Sequence, residues 1–358
     1  MRVAAARGAQ FRCYARVDVA FEPGLVGVVG PNGAGKTSLI EMIHFGCLGY
    51  SPRTSTESQV VRFGNDVTRV EVDAVTSTGS VTAEVGFRPG EPKRVVVGGA
   101  AERSVAALLH RFPVLVFTPD RLRLVQGAPA LRRSWLDRAV TRLWPALAPA
   151  PAAYARALAQ RNHLLRRIRA GAAAAEGLDA WDAVVAEAGE ALAGARARVC
   201  SRLAGPFATR LTELGGDPGD EPLRLVSHTP AAGLAEALAA GRRRDVARGV
   251  TGAGPHLDDL ELHDAGRDMR RYGSQGEQRR ALLALILAEA DLLFAERAEP
   301  PLLLLDDVTG EFDARRRALL LEVVGRFEQA ILTSTDEADL GGAAASVVRV
   351  SDGRAMAA

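Results

Sequence analysis

Lysine is almost missing from this 358-residue chain: of 45 basic residues only Lys36 and Lys93 are lysines, and the rest are arginines. Other absences narrow its class. No apolar run reaches the ~18 residues a membrane span needs, so no membrane association is expected. Arg2 and Arg7 stand near the start with no apolar stretch behind them, which predicts no secretory signal. Cys13, Cys47 and Cys200 are scattered and odd in number, which argues against a disulfide framework or a zinc site. A cytoplasmic protein with reduced thiols is the expectation. A net charge of +2 is too small to identify a nucleic-acid partner. Two arginine clusters (Arg161, Arg166, Arg167, Arg169 and Arg242, Arg243, Arg244, Arg248) fit phosphate contact and fit plain solvated helix faces equally well.

Against this arginine background, Lys36 stands in Gly30-Pro31-Asn32-Gly33-Ala34-Gly35-Lys36-Thr37, a GxxxxGK[ST] phosphate-binding loop. An ammonium is a compact point charge where a guanidinium is a broad plane, so the choice of lysine is chemical. The flanks agree. Leu25-Val26-Gly27-Val28-Val29 has strand length, and Ser38-Leu39-Ile40-Glu41-Met42-Ile43-His44-Phe45 carries apolar residues at helical spacing. Strand, glycine loop and helix aim the partial positive charge of a helix N-terminus at an anion. The expected ligands are ATP, held by residues 30–37, and Mg2+, held in part by the Thr37 hydroxyl.

The chain changes texture twice. Residues 67–97 alternate apolar and polar residues, with breaks at Gly79, Gly86, Pro89-Gly90 and Pro92, which predicts antiparallel hairpins. From about residue 120 to 248, alanine, leucine and arginine dominate and predict three or more helices of ordinary length, without a coiled-coil seam. Beyond residue 251, Leu302-Leu303-Leu304-Leu305 and Ala330-Ile331-Leu332-Thr333 read as buried parallel strands. The expected architecture is an α/β ATPase head, a mixed sheet plus an antiparallel β lobe, with an inserted α-helical domain. The expected boundaries are 1–118 and 251–358 for the head and 119–250 for the insert.

The C-terminal segment supplies a second half of the site. Asp306, at the tip of the leucine strand, is the expected magnesium partner, and Asp307 the residue that orients or deprotonates an attacking water. Upstream, Ser274-Gln275-Gly276-Glu277-Gln278 resembles the signature of ABC-type ATPases, in which serine and glycine at a helix N-terminus close over the γ-phosphate of a second subunit. A Ser-x-Gly before a helix is otherwise an ordinary N-cap. Thr309-Gly310-Glu311-Phe312-Asp313 is similar to the D-loop, ending on Asp313. Thr333-Ser334-Thr335 stands where transporters carry a switch histidine, which argues against a transporter subunit. A P-loop kinase would give the signature no purpose. A small SMC- or Rad50-like ATPase remains the alternative, with the absent heptads against it.

Several motifs in the same order resemble the RecF family of bacterial DNA repair proteins: Phe11-Arg12-Cys13-Tyr14, Pro119-Asp120-Arg121-Leu122 through Asp137, Gln160-Arg161-Asn162, Gly254-Pro255-His256-Leu257-Asp258-Asp259-Leu260 and the segment from Ser274 to Arg279. Cys13, Leu257 and Glu277 depart from the family pattern of asparagine, arginine and glutamine. The resemblance implies a slow, DNA-stimulated ATPase that forms an ATP-dependent homodimer. It implies binding of double-stranded DNA at gaps or single-strand/double-strand junctions, action with RecR and RecO in loading recombinase, and catalytic roles for Lys36 and Asp307. Arg53, in Ser51-Pro52-Arg53-Thr54, resembles an arginine of SMC-like relatives that would touch the γ-phosphate.

Overall fold

The computed structural model describes residues 1–102, 105–230, 232–310 and 312–357. They form two compact units: Met1–Leu122 with Thr209–Asp217 and Gln275–Ala358, and Arg123–Ala208 with Pro218–Ser274. None of the described helices is long and apolar enough to cross a membrane.

Two six-stranded sheets build the first unit. In one, Tyr14–Ala20, Arg2–Phe11, Thr68–Thr76, Gly79–Phe87, Arg94–Val97 and Ala100–Glu102 follow one another antiparallel. The hairpins expected over residues 67–97 are here. Gly79 and the Pro89-Gly90 turn punctuate them, but Gly86 lies inside a strand, opposite Arg69 and Arg94. The second sheet runs Arg354–Ala357, Ser346–Ser351, Gly24–Val29, Gln329–Ser334, Leu302–Leu305, Val114–Phe117. Gly24–Val29, Gln329–Ser334 and Leu302–Leu305 pair in parallel and are buried on both faces, which is why their sequences are rich in continuous apolar runs. The helix Lys36–Leu48 packs on strands of both sheets. From Leu39 to Leu48 every residue is buried, so it has little amphipathic character.

The second unit holds the helices Pro129–Leu143, Ala150–Arg169 and Leu234–Arg248, and most of Leu178–Glu213. That last helix has 36 residues and runs through Pro206, longer than propensity predicts. Burial of Val199, Leu203, Phe207 and Leu211 on either side of the proline outweighs the one backbone hydrogen bond it removes. The expected boundary at residue 250 falls later, after Ser274. Asp259–Asp264 pairs antiparallel with Leu223–Val226, so residues 251–274 pack within the second unit rather than with the head.

The arginine clusters are only partly solvated faces. Arg161 is buried, with Nε on Asp182 at 2.7 Å and Nη1 on Asp245 at 2.8 Å and on the Thr251 hydroxyl at 2.7 Å. Arg242 pairs with Asp179 and Asp182. Arg166, Arg167, Arg169, Arg243, Arg244 and Arg248 are exposed.

Candidate functional site

The phosphate loop leaves the C-terminal end of Gly24–Val29 and turns into Lys36–Leu48 through Gly35, whose φ of 117° lies in the left-handed region that favours glycine. A Cβ there would also press on the Tyr14 hydroxyl at 2.8 Å and the Cys13 sulfur at 2.9 Å. The first turn of a helix has N–H groups without intrahelical acceptors, and no side chain caps this one. Lys36 bends back over the loop, donating from Nζ to the carbonyls of Gly30 at 2.7 Å and Pro31 at 3.0 Å. Partial burial lowers its pKa, and the charges of Asp307 and Asp306 oppose that shift.

Leu302–Leu305 lies two strands away from the loop's own strand, with Gln329–Ser334 between them. Asp306 still reaches the loop: Thr37 donates from Oγ1 to its Oδ1 at 2.9 Å, and Thr333 from Oγ1 at 2.8 Å. Burial raises the carboxyl pKa of Asp306; the two hydroxyl bonds and the charge of Arg53 oppose the rise, and Asp307 adds to it. The donor set is wholly oxygen, a hydroxyl beside a carboxylate. It suits magnesium, which keeps several waters and takes one or two carboxylates along with phosphate oxygens.

Asp307 is exposed, and its φ of 49° is uncommon for a residue with a side chain. Its N–H donates to Thr333 Oγ1 at 2.8 Å, and its carbonyl accepts from Arg279 Nη1 at 3.3 Å. Two tertiary contacts thus hold a conformation that costs about 1–3 kcal/mol. Arg53 reaches Glu41 Oε2 from Nη1 at 3.2 Å. Glu41 is fully buried, and its carboxylate also accepts from Arg12 at 2.8 and 2.6 Å and from the Ser51 hydroxyl at 2.6 Å.

The structure brings Lys36, Thr37, Asp306 and Asp307 together and sets Arg53 within electrostatic reach of Asp306. Ser274 is exposed and immediately precedes the helix Gln275–Arg297. Gln275 is also exposed, and a Cβ on Gly276 would meet nothing within 4 Å. Glu277 is half-buried and Gln278 buried, so only the first part of the signature faces outward. Asp313 is the N-cap of Ala314–Val324, accepting from the Arg316 N–H at 2.8 Å. Glu311 of the D-loop segment lies outside the described residues.

Three contributors were missed in the sequence. Thr333 bridges the two aspartates. Glu41 gathers Arg12, Arg53 and Ser51. Tyr14, fully buried, donates its hydroxyl to the Gly35 carbonyl at 3.1 Å and braces the loop. The Phe11-Arg12-Cys13-Tyr14 motif was the available signal for the second and third of these supports, because its arginine and tyrosine both end at the phosphate-loop helix.

A mixed sheet with the phosphate loop on a central strand, an acidic strand end and an antiparallel lobe define a P-loop ATPase head of the ABC and SMC kind. A family model described as an AAA domain matches residues 9–97. The DNA replication and repair protein RecF of Symbiobacterium thermophilum is 38% identical over 347 residues, covering 92% of this chain and 90% of that protein. The one from Chloroflexus aurantiacus is 38% identical over 387 residues, covering 97% of each. A solved structure of the recombination mediator protein RecF-ATP in the RecFOR pathway superposes with a TM-score of 0.88 at 25% identity, covering 99% of this chain and 97% of that one. An Smc head bound to the C-winged helix domain of ScpA shares the fold alone, at a TM-score of 0.61 and 15% identity. The chain belongs to the RecF family of DNA replication and repair proteins.

Proposed function

We propose that this chain is an ATP-gated clamp of recombinational repair, closing as a homodimer on double-stranded DNA at gaps or single-strand/double-strand junctions. The observation that carries the reading is the cluster in which Thr37 and Thr333 hydroxyls hold a buried, raised-pKa Asp306 beside an uncapped helix N-terminus. A site of that kind has donors for phosphate oxygens and a carboxylate with no cation bonded to it.

Residues 30–37 cradle the triphosphate with backbone N–H groups, and Lys36 exchanges the Gly30 and Pro31 carbonyls for phosphate oxygens. Thr37 and Asp306 would hold Mg2+, which would supply neutralisation of phosphate charge and polarisation of the transferred group. Asp307, its backbone fixed by Thr333 and Arg279, orients or deprotonates water. Arg53 turns from Glu41 toward the γ-phosphate. Ser274, Gln275 and Gly276 of a second subunit close over that phosphate, with Glu277 and Gln278 anchoring the helix behind them. Asp313 shapes the segment that follows Asp307. An aspartate reaches less far than a glutamate, which suits slow hydrolysis that times release in a cytoplasmic setting. Family membership supports extending the proposal to DNA stimulation of that hydrolysis and to action with RecR and RecO in loading recombinase.

The test is ATP-dependent retention of duplex DNA. Lys36→Arg keeps the charge but not its shape and is expected to lose retention. Retention equal to the parent's would count heavily against this site.

A further inference from the structure

Arg279, on the second turn of the helix Gln275–Arg297, is buried. Its guanidinium lies 6.0 Å from the centre of the Phe117 ring, and its Nη1 donates to the Asp307 carbonyl at 3.3 Å. Phe117 is itself tied to the aspartate pair. Its carbonyl accepts the Asp306 N–H at 2.9 Å, and its strand pairs with Leu302–Leu305. One side chain near the head of the helix therefore touches the end of one strand and the turn that leaves its neighbour.

The backbone at Asp307, with its φ of 49°, persists only while neighbours hold it. Thr333 holds the N–H side and Arg279 the carbonyl side. The two anchors differ in kind. Thr333 is buried in the strand Gln329–Ser334, inside the sheet. Arg279 rides on a helix whose N-terminal end is exposed at Ser274 and Gln275. From Ser274 to Arg279 the helix rises only about 7.5 Å. A helix that shifts when its N-terminus takes hold of an anion carries Arg279 with it, and no loop intervenes to absorb the movement.

We infer that Arg279 is a positioning residue that reports, within one chain, the filling of the second subunit's nucleotide site to Asp307. The inference rests on Ser274 closing over a second subunit's γ-phosphate and goes further. Each chain's Asp307 is set for hydrolysis only when that chain's own signature helix has a phosphate to hold. A dimer with two loaded loops hydrolyses at both, and a dimer with one empty loop waits.

Mixed dimers joined by ATP and isolated through two affinity tags test the coupling. Asp307→Asn silences one chain, so that only the other chain's site hydrolyses. In the working chain, Arg279→Met is expected to slow single-turnover hydrolysis about 10²-fold, as a small misplacement can, and Arg279→Lys to restore part of the rate. In the silent chain, Arg279→Met should leave the rate unchanged. Ser274→Ala in the working chain removes a hydroxyl from the silent loop's site alone, yet it should slow the working site, with no further loss when Arg279→Met is added. A parental rate under either substitution in the working chain overturns the coupling, and the Ser274→Ala result stands even if Arg279→Met fails to fold. Slowing by Arg279→Met in the silent chain overturns it as well. Failure of the underlying reading looks different: no dimer forms with ATP, and the coupling falls with it.

Discussion

Asp306 in the first unit and Asp259 in the second both come from recognisable motifs, and both are tightly bonded. Asp306 is held by two neutral hydroxyls. Asp259 is gripped by both arms of the Arg132 guanidinium, at 2.6 and 2.9 Å, and Arg132 spends its remaining donors on the carbonyls of Leu124, Val125 and Gly127. The difference is charge compensation. Hydroxyls satisfy lone pairs but leave the negative charge in place, so burial raises the Asp306 pKa and the site still favours a cation. A bidentate guanidinium neutralises the charge and consumes it in the fold.

The same contrast extends across each unit. Arg196 joins Asp137, Asp258 and the Pro255 carbonyl, and Asn162 accepts from the Thr251 N–H and hydroxyl. The motif residues of the second unit that resemble the family's thus largely bond to one another. Those of the first unit leave an uncapped helix end, an exposed Asp307 and an open Gly276 facing outward.

The largest expected effect tests the saturated side. Arg161→Ala takes the cation from Asp245 in the second unit and leaves Asp182 with Arg242 alone, and breaking a buried ion pair costs about 3–5 kcal/mol. Thermal unfolding should show it; parental stability combined with lost DNA binding would place Arg161 in an interface and break the comparison. On the unsaturated side, Asp307→Asn should slow hydrolysis about 10²–10⁴-fold, the usual worth of a general base, while an ATP-bound dimer accumulates. Single-turnover hydrolysis at the parent's rate would move the catalytic role elsewhere.

Asp306→Asn sharpens the comparison most. The amide keeps an acceptor for Thr37 and Thr333 but removes a desolvated charge. Magnesium-dependent nucleotide binding should fall by about ten-fold or more, with a melting temperature no lower than the parent's. A large drop in melting temperature would mean that the charge is structural, as it is at Asp259.

The smallest effect concerns pH. His256 Nε2 lies 3.0 Å from the Thr251 carbonyl oxygen, so it carries the proton, and Nδ1 accepts from the Tyr154 hydroxyl at 2.7 Å. Burial lowers the His256 pKa; Arg133 lowers it further, while Asp258 and Asp245 act the other way. The unfolded chain therefore binds this proton more readily than the folded one. Its contribution to stability is complete above the ordinary histidine value of about 6.5 and declines as pH falls below it. Melting temperatures across that window should show the decline, and His256→Gln should flatten it.

Local chemistry made half of the site legible in the sequence. Gly35, Lys36 and Thr37 are dictated by loop geometry, and Asp306 by its place at the end of four leucines. Thr333, Glu41 and Tyr14 act through tertiary neighbours: Thr333 is 27 residues from Asp306, and Tyr14 is 21 from Gly35. No spacing rule links them. The 36-residue helix exceeds the ordinary length expected because burial on both sides of Pro206 carries it through the proline. The later domain boundary was hidden because strand pairing between Asp259–Asp264 and Leu223–Val226 joins segments far apart in sequence.

Sedimentation velocity with ATP and magnesium, with and without duplex DNA, tests the central claim that the phosphate loop is completed by a second subunit. The parent should sediment as a dimer only with ATP. Ser274→Arg should remain a monomer while binding ATP as the parent does. A Ser274→Arg dimer of parental stability, or a parent that stays monomeric at saturating ATP, would contradict the account.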